Sequence, residues 1–143
     1  YTQRATELYL RQQYGIEPRE ALGQGTGPLA ARAAHLSRTL SDKFTLNENL
    51  IEVFPRATLA LRGLGGESRR YKRHLLERQT RAQILDALAP VLSFAPGVWR
   101  EECVQSDHAF DAVVCAYTAF LWATEAWQLP SAFEAFAARD GWI

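Results

Sequence analysis

The segment SDHAFDAVVCAYTAFLWATEAW, Ser106 to Trp127, limits the fold more than any other part of the chain. It holds no glycine or proline, and beyond Asp111 nearly every residue up to Glu125 is apolar. Such a run reads as one long helix, and a helix without a polar face has to be covered on several sides and lie centrally. Its first two turns break the pattern with Asp107, His108 and Asp111. Separations of three and four residues put these three side chains on one side of a helix. Ser106 or Asp107 suits the N-cap, so Asp107 has a capping role as its alternative reading. Asp111 lies past any cap. His108 reads either as a polar rim residue or as a ligand.

A second carboxylate stands in an apolar setting. In NLIEVFPRA, Asn49 to Ala57, Glu52 is surrounded by Leu50, Ile51, Val53 and Phe54. Leu50 to Phe54 reads as a short buried strand that Pro55 ends, with Leu50, Glu52 and Phe54 on one face. A buried carboxylate is costly unless it is paired or bound to a metal. Pairing with Arg56 or Arg78 is one answer. The other is a site of hard oxygen ligands in which Glu52 approaches Asp111, with Asp107 as a third acid. Carboxylates of this kind hold Mg²⁺ or Mn²⁺ and leave positions open for water and phosphate. Two such ions would clamp the attacking and leaving oxygens of a phosphodiester.

Charge supplies a partner. The total is neutral, with 16 basic and 16 acidic residues, so no overall field draws the chain to nucleic acid or membrane. The distribution is uneven. Arg56 to Arg81 holds eight Lys or Arg against Glu67 and Glu77, while seven acids face Arg139 alone from Glu101 onward. The basic segment, interrupted by Tyr71 and His74, reads as a track for a phosphate backbone or as a solvated helix face. Cys103 and Cys115 are too few for a zinc set and read as free thiols of a reducing cytosol, which gives a cytoplasmic expectation. No apolar run approaches the ~20 residues of a membrane span, and no Ser or Cys sits in a nucleophile elbow.

The remaining organisation is that of one domain over residues 1–143. Thr2 to Tyr14 reads as a helix stopped by Gly15, and GQGTGP (Gly23 to Pro28) as a loop matching neither phosphate-binding spacing. Pro28 suits the first turn of a helix from Leu29 to about Leu40, with Leu29, Ala33, Leu36 and Leu40 on one face. A short helix from Arg56 to Arg62 should end at Gly63, and another should run from Leu75 to Leu88, before Pro90. The chain has no methionine, opens on Tyr1 in mid-pattern and stops at GWI, which reads as a piece of a longer protein.

IEVFPRATLALRGLGG, then YKRH, then DHAFDAVVCAYTA and finally DGWI resemble the domain of unknown function 429 family, whose members are predicted RNase H-like nucleases. The segment around Arg4 to Arg11 is also similar, so the resemblance spans nearly the whole chain. Phe54 stands where the family has tyrosine. The resemblance implies an α/β, RNase H-like (RuvC-like) fold, here partial and helix-rich. It implies Mg²⁺- or Mn²⁺-dependent cleavage of DNA or RNA, with Glu52, Asp111 and Asp107 (or His108) as catalytic metal ligands. Lys72 and Arg78 carry over as phosphate contacts, with Arg70 beside them in the same segment. Family members begin with an Asp-bearing strand that does not precede Tyr1, so the resemblance implies a piece lacking one essential acid and inactive by itself. The alternative is a non-catalytic binding module. Assembly with further copies of the chain stays open.

Overall fold

Apolar positions three and four apart recur along most of this chain, and helices are what they build. The computed structural model describes residues 5–16, 28–64, 66, 69–94, 98–125, 131 and 134–135. Among these residues six α-helices follow in order: α1 Ala5–Tyr14, α2 Pro28–Leu40, α3 Pro55–Leu59, α4 Glu77–Leu88, α5 Val98–Gln105 and α6 Asp107–Thr124. The chain divides into two compact units, one of residues 1–52 with 127–143, the other of 53–126.

In the first unit, α1 ends where the sequence places its stop, with Gly15 at φ +62°. Among the described side chains of this helix Thr6, Glu7 and Leu10 are buried, while Leu8 is exposed. Helix α2 begins at Pro28, as the fixed φ of proline at a first turn predicts. Leu36 is exposed rather than packed, and the side chains of Leu29 and Ala33 lie outside the described residues. The GQGTGP loop before Pro28 and the closing DGWI lie outside them too.

The expected α/β RNase H-like fold is overturned. Among the described residues there is no strand and no sheet, and Leu50 to Phe54 does not form one. A strand needs a neighbour to take its backbone groups. Leu50 instead closes a tight loop onto Leu46 in an isolated bridge, with the Asn47 N–H donating to the Leu50 carbonyl at 2.7 Å. Asn47 takes the left-handed region at φ +66°, and the Asn49 side chain accepts from the Thr45 N–H at 2.7 Å. At the other end Phe54 is extended (φ −108°, ψ 95°) but serves as the N-cap of α3, with Pro55 in its first turn. The division between the two units falls inside this segment.

The second unit carries the core. From Pro55 the chain winds through α3 and a wider turn, Ala60–Leu64, where Gly63 at φ +82° lets it leave the helix. Helix α4 buries Thr80, Arg81, Ile84, Leu85 and Leu88. Helix α5 was not legible in the sequence: among its described side chains Trp99 is exposed while Cys103 and Val104 are buried. It runs directly into α6 through Ser106, whose hydroxyl accepts from the Ala109 N–H at 3.3 Å. Ser106 is therefore the cap, and Asp107 is released from that duty.

Helix α6 packs on α3 and α5, and α4 packs on α5. Phe110, Val114 and Tyr117 form its buried stripe, joined by Leu59, Tyr71, Ile84, Leu85, Leu88, Cys103 and Val104. Fully burying each of Leu59, Ile84, Leu85 and Val114 stabilises by about 1.5–3 kcal/mol. The Thr58 and Thr118 hydroxyls, 2.9 Å apart, tie α3 to α6. The expectation that α6 is covered on several sides holds only for this stripe. Ala112, Ala116, Ala119, Ala123 and Phe120 are exposed. Alanine counts as apolar in a pattern, yet it is the best helix former and loses little in water.

Candidate functional site

The start of α6 and the loop between α3 and α4 meet in one cluster. Because Ser106 takes the cap, the helix turns Asp107 and Asp111, one turn apart, toward the same neighbour. That neighbour is Lys72. Its ammonium forms an ion pair with Asp111 Oδ2 and lies 3.7 Å from Asp107 Oδ2. The other Asp111 oxygen, Oδ1, accepts from the Tyr71 hydroxyl at 3.1 Å. Both oxygens of Asp111 are thus engaged, one by a cation and one by a neutral donor. The Lys72 ammonium also lies 5.4 Å from the Tyr71 ring centroid, within reach of its electron-rich face.

Tyr71 is the pivot between this cluster and the core. Its ring is buried against Phe110, with centroids 5.0 Å apart. Burial, followed by the charge and hydrogen bond of Asp111, pushes the phenol well above its usual range, with Arg56 opposing. The group therefore stays protonated and acts as a donor. Burial also raises the Cys115 thiol, with the Asp111 charge adding to it and Lys72 opposing. Burial likewise raises Cys103. Neither cysteine is poised as a thiolate nucleophile.

The loop that presents Tyr71 and Lys72 is held from below by Arg81, 1% exposed. Its guanidinium donates to the Tyr71 carbonyl (2.7 Å), the Val104 carbonyl (2.7 Å) and the Gln105 carbonyl (3.4 Å). The last two end α5, whose final carbonyls have no partner inside the helix. One side chain thus closes α5 and fixes the backbone from which the Tyr71 hydroxyl is aimed. This takes Arg81 out of the basic run read as facing phosphates, because its side chain is buried in the core. Sequence reasoning missed both Arg81 and the hydrogen-bonding role of Tyr71. The signal for Arg81 was present, since position 81 lies on the apolar face with Leu85 and Leu88 and four residues after Glu77.

The other expected residues are placed as follows. Asp107, Asp111 and Lys72 come together. His108 is exposed. Arg70 and Arg78 are exposed, Arg78 in the first turn of α4. Glu52 is the last residue of the first unit's leading segment and partly buried. Among the described residues no three His, Cys, Asp or Glu gather in a way that would hold a metal ion. Residues 4–135 match the family described as a protein of unknown function (DUF429). The chain belongs to this family. No curated protein and no solved structure matches it. Among the described residues of this DUF429 chain, no helix is long and apolar enough to cross a membrane.

The Tyr71 hydroxyl makes a pH-dependent contribution that can be measured. Its proton is held more tightly in the folded chain than in the unfolded one, where the phenol titrates near 10.0. Stability from this group is therefore complete below that pH and is lost as pH rises through it toward the raised native value. Tyr71→Phe is expected to cost about 1–2 kcal/mol at neutral pH, as a hydrogen bond to a charged acceptor is removed. The gap between wild type and variant should narrow in urea titrations as pH is taken above about 10. A gap independent of pH would mean that neither burial nor Asp111 holds the phenol proton more tightly in the folded chain.

Proposed function

We propose that the protein is a Mg²⁺- or Mn²⁺-dependent phosphodiesterase acting on nucleic acid, with Asp111 and Asp107 as metal ligands. The observation that carries this reading is the convergence of two helix carboxylates, one turn apart, on a single cationic centre. The donors suit such an ion in kind, being hard oxygens, and Mg²⁺ is commonly held by one or two carboxylates with waters and substrate phosphates completing its shell. In the structure the cationic centre is the protein's own lysine, so a metal has to take the carboxylates over from Lys72. A bound ion would supply Lewis-acid activation of the phosphoryl group and of water. The chain's residues do the rest. Tyr71 orients Asp111, Lys72 offers a positive charge to a phosphate oxygen once relieved of its carboxylates, and exposed Arg70 and Arg78 meet the flanking backbone. Glu52 stays a ligand candidate on the family resemblance alone.

A second reading, a non-catalytic nucleic-acid-binding module, is favoured by one observation: Lys72 already neutralises Asp111 and reaches Asp107. The deciding experiment is cleavage of single- and double-stranded DNA and RNA by the full-length protein with Mg²⁺, Mn²⁺ or a chelator. Metal-dependent cleavage is the expected result. Failure with both ions, alongside salt-dependent binding, would leave the module.

A further inference from the structure

The loop before α4 has a tip that this chemistry does not use. Leu75 is 100% exposed and Leu76 51% exposed, side by side at the entrance to the helix. A single exposed leucine is ordinary, but two adjacent ones at a turn form an apolar point. The turn is held by backbone and His74 hydrogen bonds. Arg73 takes a left-handed φ of +52°, the Leu76 N–H donates to His74 Nδ1 at 3.1 Å, and the Glu77 N–H donates to the His74 carbonyl at 3.1 Å. Arg69, Arg70, Arg73 and Arg78, all exposed, lie within six residues of Leu75. The acid in this stretch, Glu77, faces Arg81 at 3.6 Å. The point is therefore flanked along the chain by four guanidinium groups.

An anionic membrane and a nucleic-acid duplex both match this chemistry in outline. One or two leucines bury too little apolar area to anchor a protein in a bilayer. Four arginines, whose planar forks match phosphate oxygens in pairs, favour a phosphodiester backbone. Apolar wedges inserted between base steps, with cations on the adjacent phosphates, are a recurring way of kinking a duplex. We propose that the Arg73–Leu76 tip is such a wedge, with Leu75 entering a base step of double-stranded nucleic acid and the arginines holding the phosphates beside it. This rests on the nucleic-acid reading above and adds the duplex as its preferred form.

The test uses full-length protein in chelator, so that cleavage plays no part, with a duplex carrying 2-aminopurine and the same strand alone. Binding should raise 2-aminopurine fluorescence in the duplex as the step unstacks. Leu75→Ala should abolish that rise and weaken duplex binding about tenfold, leaving single-strand affinity unchanged. Because Leu75 touches solvent alone, the variant keeps its fold. Arg73→Ala should weaken both substrates and lower the salt slope by about one. Duplex binding without a fluorescence rise, or unchanged in Leu75→Ala, overturns the wedge whether or not the protein cleaves. So does loss of binding to phosphatidylserine vesicles in Leu75→Ala with the duplex unaffected. Cleavage failure with the wedge signal intact would remove only the phosphodiesterase.

Discussion

Arg81→Ala should lower the unfolding free energy of the chain by about 3–5 kcal/mol, the range for removing one partner of a buried charged network. The ion pair with Glu77 is a small part of this. At 3.6 Å, with Glu77 36% exposed, a helix-spaced pair is worth a few tenths of a kcal/mol. The large part is what the guanidinium leaves behind. The Val104 and Tyr71 carbonyls each lose a donor at 2.7 Å in the interior, and each such orphan costs about 1–3 kcal/mol. The arginine also sits at the C-terminal end of α5, where a positive charge complements the helix dipole. Arg81→Lys should recover only a fraction, because one ammonium cannot reproduce a planar fork that spans several acceptors. Urea denaturation followed by circular dichroism reads both values. A loss below about 1 kcal/mol for Arg81→Ala would show that water takes over the carbonyls and that the residue is no strut.

Helices were legible in this sequence wherever a punctuating residue agreed with the apolar spacing. Gly15, Pro28, Gly63 and Ser106 each mark an end that the structure keeps. The strand at Leu50–Phe54 was not legible as a failure, because alternation and β-branched content describe one segment while a strand is a property of two. Nothing in LIEVF says whether a neighbour exists to complete its ladder. The reading of α6 erred differently. Its apolar residues are half alanine and small side chains, so pattern overstated how much surface has to leave water, and Phe120 is half exposed. For the site, the spacing of Asp107 and Asp111 placed both carboxylates correctly on one side of a helix. What they face could not be read. Lys72 comes from a loop almost forty residues earlier, brought there by Arg81 and by the packing of Tyr71 on Phe110. A charge in a basic run gives no sign of whether it turns to solvent, as Arg78 does, or into the protein, as Arg81 does.

Asp111→Asn is the substitution with the largest expected effect on activity. If Asp111 ligates the metal, replacing its charge by an amide removes an electrostatic contact made to the reacting centre, and cleavage should fall by at least on the order of 10²–10³-fold. The same change disturbs structure in a way that can be calculated in direction. The asparagine carbonyl still accepts from Tyr71, but its amide group then faces the Lys72 ammonium, donor against donor. Stability should drop by about 1–2 kcal/mol, moderated because the Lys72 and Asp111 side chains are 36% and 24% exposed. A purely structural role for Asp111 would make this loss the cause of any inactivity, and one further variant separates the two. Adding Lys72→Met to Asp111→Asn removes the mismatched cation and should restore much of the stability, since breaking one partner of a pair costs more than replacing both. Activity should stay lost in the double variant, which still lacks the ligand and now also the Lys72 charge, so the informative outcome is its return. Cleavage that returns along with the melting temperature would make Asp111 a brace for Lys72 and not a ligand, and would end the metal-site reading of α6.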